Sequence, residues 1–304
     1  MIFITQTALE LGFMYALVSM ALFLSYRVLD IADLTTDGAF VLGMAVSVSL
    51  AAAGHPFLAI PAAMAAGAAA GFVTAFLQTK MGVPSILAGI VTNTGLYTVN
   101  LMAMGWSSNV NLLKQDTIFS LFKKTGIGGS WYEFVLAAVI VVAAGLFLIW
   151  FLSTRLGLSI RATGDNRDMV RASSVNPVFT ITVGLCISNA LTALSGAVVG
   201  QLQKSADING GTGIVVIGLA CLIIGETVIG RGRIRRGIVA VVAGSVIYRF
   251  IYAVVLKTKI VPIECLKLMT AVIVALAIAM PTLKAYAVFR KRKWAAASRR
   301  KGGQ

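Results

Sequence analysis

Side chains able to move protons, attack or ligate metals are few in this chain and widely scattered. Eleven Asp and Glu residues and one His stand among 304 residues. His55 precedes Pro56 at a turn, with no second ring near it in sequence. Cys186, Cys221 and Cys265 are well separated, in or beside apolar runs, and read as small buried hydrophobes without metal or redox spacing. No GxxxxGK(S/T) phosphate loop occurs, so the chain does not hydrolyse ATP by that route. A membrane-embedded enzyme would need nucleophile, base or metal ligands gathered together, and they are not. The polar residues concentrate instead in three places: 30–38, 156–175 and 204–213.

Those places are set in a very apolar chain. Only 12% of residues are charged against 58% apolar, and mean hydropathy is +0.90; a soluble domain carries about a quarter charged residues. The deficit runs the whole length, which predicts an all-α polytopic membrane protein. MIFITQTALE has no basic n-region, so its helix is expected to be retained. About twenty apolar residues cross the hydrocarbon. That length fits about nine segments, 5–26, 37–53, 57–79, 84–103, 131–153, 178–200, 212–229, 237–256 and 266–283, of which the second and seventh are short. His55-Pro56, Gly82-Val83-Pro84 and Asn176-Pro177 punctuate them near helix starts, where the missing proline N–H costs nothing.

A net charge of +15 would suggest nucleic acid in a soluble protein. Here basic residues in short loops carry topology, and no nucleic-acid partner is expected. With the C-terminus inside, the cytoplasmic side receives Arg27, Lys80, the 155–171 loop, Arg231, Arg233, Arg235, Arg236, Lys284 and the tail from Arg290. The outer side receives fewer: Lys114, Lys123, Lys124, Lys204, Lys257, Lys259 and Lys267. The bias predicts N-out and C-in.

Two polar interruptions look alike. Asp30-Ile-Ala-Asp33-Leu-Thr-Thr-Asp37-Gly38 lies between the first two spans, and Lys204-Ser-Ala-Asp207-Ile-Asn-Gly-Gly-Thr-Gly213 precedes the seventh. Each has an Ala-Asp-(Leu/Ile) triplet and then a glycine opening a short apolar run. In an N-out topology they face opposite sides, as an inverted repeat with broken helices would; chance similarity of short strings is the competing reading. Locally, Asp33 or Asp37 caps the second span with help from Thr35 and Thr36. Asn93, Asn100, Ser188, Asn189, Thr192, Ser195 and Glu226 put further polar groups inside apolar runs, where most serve to bridge helices. Glu226 is the costliest, a paired or water-facing group by default, with Arg249 as one candidate partner. The run 59–76 is nearly all small residues, which lets helix backbones approach closely.

The third polar stretch, 156–175, is too short for a domain and polar enough to leave the membrane. Gly157 and Gly164 are expected to break it, with Asp165 capping a stub through Asn166, Arg167, Asp168, Met169, Val170 and Arg171. Three readings stand open: a solvated loop obeying the charge bias, a site for anionic lipid headgroups, and a docking lug for a cytoplasmic partner.

Gly157-x-x-x-Arg161-Ala162-x-Gly164-Asp165-Asn166, followed by Ala172 and Val175-Asn176, resembles the main cytoplasmic loop of permeases of the branched-chain amino acid and ribose class of ABC importers. Tyr15-Ala16-Leu17, Tyr26-Arg27-Val28-Leu29-Asp30-Ile31-Ala32-Asp33 and Gly38-Ala39-Phe40-x-x-Gly43 resemble that family's N-terminal pattern, and Gly218 to Gly230 with Arg231-Gly232-Arg233 is similar to its second half. Within the class, DIADLTTDGAF looks most like permeases described as tryptophan/tyrosine or related amino acid transporters.

The resemblance implies an ABC importer permease fold over residues 1–304 as one domain, in the cytoplasmic (inner) membrane of a bacterium. It implies a second permease copy, two cytoplasmic ABC ATPases that hold the ATP-Mg, an extracytoplasmic solute-binding protein, surrounding lipid, and no cofactor on this chain. The 154–177 loop becomes the coupling loop, with Arg161, Asp165, Asn166, Arg167, Asp168 and Arg171 meeting the ATPase, and 284–304 a basic cytoplasmic tail. Asp33, Thr36, Asp37, Phe40, Asn93 and Asn189 become the candidate solute path. Asp33, Thr36 and Asp37 stand where many relatives are less acidic, so a carbohydrate is not implied. The function expected is import of a small solute, an amino acid with an aromatic one as the narrower form. The alternatives are a permease for a sugar, nucleoside or other small solute, and an ion-coupled secondary transporter. The latter would want buried ionisable groups at mid-membrane. A purely structural subunit fits poorly with two matched polar interruptions.

Overall fold

The computed structural model describes residues 2–112, 115–124, 131–230, 232–258, 268, 270–276 and 279. The first span, α1 (Ile2–Leu22), widens into a π-helical stretch at Phe23–Val28, and the apolar helix Gln6–Val28 runs 23 residues. Then come α2 (Thr36–Ala52), α3 (Pro56–Thr79), α4 (Ser85–Ala103), the short strand β1 (Asn109–Asn111), α5 (Ile118–Lys124), α6 (Tyr132–Ser153), α7 (Arg155–Asp165) and α8 (Arg167–Ala172). The chain continues through α9 (Pro177–Gln203), the strand β2 (Ser205–Asp207), α10 (Ile214–Ile229) and α11 (Ile234–Thr258). Apart from the two three-residue strands, every element described is helical.

Among the described residues, six helices are long and apolar enough to cross a membrane: Gln6–Val28, Pro56–Thr79, Ser85–Ala103, Tyr132–Ser153, Pro177–Gln203 and Ile234–Lys257. These match six of the nine expected spans. The two expected to be short are helices of 17 and 16 residues, α2 and α10. The ninth, 266–283, and the 284–304 tail fall largely or wholly outside the described residues. Pro56 and Pro177 sit in the first turns of α3 and α9, and the Asn176 side chain accepts the Val178 N–H at 3.0 Å. Those two residue types fix where these helices begin.

α1 and α9 form the interior; from Leu191 to Gln201 every residue of α9 is buried. The outer helices expose Phe57, Phe72, Phe76, Ile90, Leu146, Phe147 and Trp150, an apolar coat that faces lipid. Lipid gives no hydrophobic drive for helices to associate, so close packing must. Ala59, Ala63, Gly67, Ala70, Gly71 and Thr74 are buried along one stripe of α3, three or four residues apart. A methyl added at Gly67 would come within 2.5 Å of the Asn189 carbonyl oxygen, and one at Gly71 within 2.5 Å of the Leu185 carbonyl oxygen. Backbone therefore lies on backbone where α3 crosses α9.

The bundle has two rims. At one, β1 pairs antiparallel with β2, Val110 opposite Ala206, and α5 is pinned where the Gln201 Oε1 accepts the Ile118 N–H at 2.9 Å. At the other, α7 and α8 lie beside the end of the first span: Gly164 rests on the Val28 carbonyl and within reach of Leu29.

Candidate functional site

Between α1 and α2 the chain leaves the helix, with Asp30 at a φ of 55°, and runs through Asp33 before re-entering at Thr36. Asp33 is 3% exposed, and its carboxylate accepts the Thr35 N–H at 2.9 Å and the Asn189 Nδ2 of α9 at 2.7 Å. The Thr36 hydroxyl donates to the Asp33 carbonyl at 3.1 Å, and the Thr35 and Thr74 hydroxyls bond at 2.7 Å. The interrupted segment is thus bolted to α3 and α9. Phe40 is fully buried, its ring stacked 6.0 Å from Tyr15.

Asp37, one turn further on, faces another way. Its two carboxylate oxygens accept the N–H groups of Gly213 (3.0 Å) and Val215 (2.8 Å), at the start of α10. Gly213, at a φ of 84°, opens that helix without a side-chain oxygen of its own. A residue 176 positions earlier supplies the cap, and its negative charge suits the positive end of the helix. The two polar interruptions therefore meet, the N-terminus of α2 against that of α10.

Beside this junction lies a cleft of about 500 Å³, lined by Asp37, Gly38, Val41, Asn93, Thr94, Tyr97, Thr98 and Asn100, with Ile208, Asn209, Gly211 and Thr212 closing the far wall. Such a volume suits a small-molecule ligand. Among the described residues that line it, Asp37 carries the one charge. The Asn100 Nδ2 donates to the Gly38 carbonyl at 3.2 Å, while its buried Oδ1 has no partner. Asn93 lies against Gly38.

Of the six candidate path residues, Asp37 and Asn93 line this cleft; Asp33, Thr36, Phe40 and Asn189 are packed inside the protein. Residue-by-residue reading of the sequence missed Thr94, Tyr97, Thr98, Asn209 and Thr212. A signal did exist: Asn93, Tyr97 and Asn100 on α4 recur at helical spacing, as do Thr94 and Thr98.

The 156–175 stretch differs from its expected form in two ways. Gly157 and Gly164 do not break it but lie inside α7, because each is needed where backbone comes close: Gly157 on Phe151 and Leu152, Gly164 on Val28. The cap of the stub is Asn166, not Asp165; its side chain accepts the N–H groups of Asp168 and Met169, both at 3.0 Å. Asp165 closes α7 instead. Ile160 and Thr163 bury the inner face of α7, the Thr163 and Thr180 hydroxyls bonding at 2.8 Å, while Arg161, Asp165, Asn166, Arg167, Asp168 and Arg171 are exposed. Arg171 and Asp168 approach to 4.0 Å.

Glu226 also has another partner than the one considered from sequence. The Arg27 Nε reaches its Oε1 at 3.0 Å. Arg249 places its guanidinium 3.7 Å from the Tyr15 ring centroid, a cation–π contact. Among the described residues no group of three His, Cys, Asp or Glu is arranged to hold a metal.

A family described as branched-chain amino acid transport system, permease component, matches residues 4–280. A tyrosine transport system permease protein of Clostridioides difficile is 32% identical over 260 residues, 85% of either chain. An uncharacterised protein of Rickettsia prowazekii is 31% identical over 278 residues, covering 88% of this chain and 94% of the relative. A ribose import permease protein of Escherichia coli is 29% identical over 205 residues, 65% of this chain and 60% of the relative. No solved structure matches the chain.

Proposed function

The chain belongs to the branched-chain amino acid transport system permease family, and from that premise we propose that the solute it carries is an amino acid, with an aromatic one as the narrower form. It is a multi-pass ABC importer permease subunit for a small solute, in a family that works with a separate ATPase and a solute-binding protein. The single observation behind the reading is the cleft at the meeting of α2 and α10. Its one carboxylate offers a partner for an ammonium group, its Asn and Thr side chains offer donors and acceptors, and Tyr97 offers a ring face. The likeness to a tyrosine permease supports the same choice. The neutral polar lining also suits hydroxyl groups, and the likeness to a ribose permease keeps a sugar as the second reading.

The cleft would be open to solute in one access state and closed in the other, the balance shifted by the ATPase. In this reading two permeases and two ATPases form the complex. The rim carrying α7 and α8 is cytoplasmic, and the exposed side chains from Arg161 to Arg171 meet the ATPase. Reversing the charge of Arg161 and Arg171 should then leave insertion intact and uncouple ATP use, since like charges set together at an interface cost several kcal/mol. Normal complex formation and uptake in that variant would remove the coupling role. For orientation, a cysteine introduced at Ser108 should label from outside sealed cells and one at Ser298 should not.

The solute reading is tested in vesicles containing the permease, its ATPase and its binding protein. ATP-dependent uptake of tyrosine, tryptophan, leucine and ribose is measured side by side. Uptake of ribose with no amino acid moved would overturn the amino acid reading in favour of the sugar.

A further inference from the structure

The short helix α10 is held differently along its length. Its N-terminus is capped by Asp37 in the cleft, and near its C-terminus Glu226 pairs with Arg27 at the far rim. At about 1.5 Å per residue the helix joins two places on the order of 20 Å apart. On one flank it is fixed backbone to backbone: Gly225 rests on the Ala240 carbonyl, and Gly244 of α11 on the Cys221 carbonyl. On the other flank it meets α1 through side-chain tips; a methyl at Gly218 would meet the Leu22 Cδ1 at 2.5 Å and the Val18 Cγ1 at 3.2 Å. So α10 is fixed to α11, meets the first span itself through softer contacts and is tied to Asp37 and Arg27 by polar ones, while α11 packs closely on α1, where a methyl at Gly12 would lie 3.1 Å from the Val246 Cα.

The Arg27–Glu226 pair sits in a pocket of about 250 Å³ whose wall includes Arg161 and Asp165 of α7, together with Arg233. The Glu226 side chain is 8% exposed and that of Arg27 44%. A half-exposed guanidinium can change partners at modest cost, because water receives it in between. Arg161 and Asp165 are four residues apart on one helix and so share a face. They present one cation and one anion, the complement of Glu226 and Arg27.

We propose that the Arg27–Glu226 ion pair is a two-state latch that exchanges partners during transport, Arg27 passing to Asp165 and Glu226 to Arg161. In the state described here the latch ties the end of the first span to α10; after exchange it ties both to α7, the helix proposed to feel the ATPase. Because α10 is one rigid rod, the exchange is transmitted to the helix start that Asp37 caps. This inference rests on the transport reading above. Uptake by the unaltered complex tests that reading, whereas the latch is read separately from cross-links.

In a chain with its three cysteines replaced, Arg27→Cys is combined with Glu226→Cys or with Asp165→Cys. Disulfide yield in the complex with its ATPase is measured without nucleotide and with ATP trapped by vanadate. One pair should gain yield at least threefold as the other loses it. Equal yields in both conditions, or no 27–165 cross-link in either, would overturn the exchange. Two further variants separate a latch from a brace. Glu226→Gln, which keeps size, should assemble normally, lose coupled uptake at least tenfold and hydrolyse ATP without needing solute; unchanged coupling would sink the latch. The joint reversal Arg27→Glu with Glu226→Arg rebuilds the bridge seen here but sets like charges against Asp165 and Arg161. It should assemble normally yet remain uncoupled, and full rescue of uptake would mark a static brace.

Discussion

The two faces of α2 are built in opposite ways. Toward α3 and α9 it is sealed: Gly43 lies on the Ala193 backbone, Gly196 of α9 lies on the Phe40 carbonyl, and the Ser47 hydroxyl donates to the Ala197 carbonyl at 3.3 Å. The preceding segment is bolted to the same neighbours through Thr35–Thr74 and Asp33–Asn189. Toward α4 and α10 the packing is looser, and a cleft lined by Asp37, Gly38 and Val41 lies between the bonds that Asn100 makes to the Gly38 carbonyl and Asp37 makes to α10. Asp33 and Asp37 are alike in type and one helical turn apart, yet one serves the seal and the other the opening. The difference separates what keeps the protein folded from what is proposed to meet its solute. Mutations on the two faces should therefore fail in different ways.

The largest effect is expected from filling the seam between α3 and α9, the two helices against which α2 is sealed. Gly71→Leu places a branched side chain where even a methyl would come within 2.5 Å of the Leu185 carbonyl oxygen. A side-chain tip can rotate aside, but the backbone of α9 cannot. Overpacking of a tight core costs about 1–3 kcal/mol, and prying two helices apart lies at or beyond the upper end. The variant should show little monodisperse protein in detergent, at any pH and with or without solute. A normal yield and melting temperature would mean that the α3–α9 seam is looser than its geometry.

The sharpest form of the comparison is the pair of aspartates. Asp33→Ala leaves the buried Thr35 N–H and one donor of Asn189 without an acceptor; each such loss costs about 1–3 kcal/mol. Thermal stability in detergent should fall clearly. Asp37→Asn keeps an oxygen for one N–H, turns an amide donor toward the other, and gives up a charge at the α10 N-terminus that is worth up to about 2 kcal/mol in a partly buried geometry. Its melting temperature should fall less than that of Asp33→Ala, while uptake falls at least tenfold through weaker solute affinity. If Asp33→Ala is stable and merely inactive, or if Asp37→Asn melts early with solute affinity unchanged, the assignment of seal and opening is reversed.

Much of the scaffold was legible because it depends on local sequence. Apolar run length marks the long helices, and Pro56 and Pro177 mark two starts. The short second and seventh runs mark the two shorter apolar helices, α2 and α10. What divides Asp33 from Asp37 is not local: their partners, Asn189 and the Gly213–Val215 backbone, lie 156 and more positions away. A cap signature names the residue type that can bond free N–H groups, not which helix owns those groups, and Asp37 caps one far along the chain. The same limit explains Glu226. Arg249 is nearer in sequence and is the natural candidate there, but the fold brings Arg27 to Glu226 and leaves Arg249 on Tyr15. Gly157 and Gly164 carry the opposite lesson. In sequence glycine reads as a breaker, whereas close backbone approach also demands it, and only the neighbouring segments of chain show which applies.

The smallest expected effect lies on α4, which lines the open side, and it serves as the control for the first. Gly95 sits within this helix with nothing inside 4 Å of where a methyl would project, and it is exposed. Glycine in a helix interior is less favourable than alanine by about 0.8–1 kcal/mol, and the cost is not recovered here by any close approach. In lipid the coil state is suppressed, so the gain from Gly95→Ala should be at the low end of that range or below it. The expected result is an unchanged or slightly raised melting temperature and normal uptake, in contrast with Gly71→Leu at the α3–α9 seam. A loss of uptake with the fold intact would be more informative than a loss of stability. It would mean that the outer face of α4 meets another surface during transport, and that the opening extends beyond the cleft walls formed by Asn93, Tyr97 and Asn100.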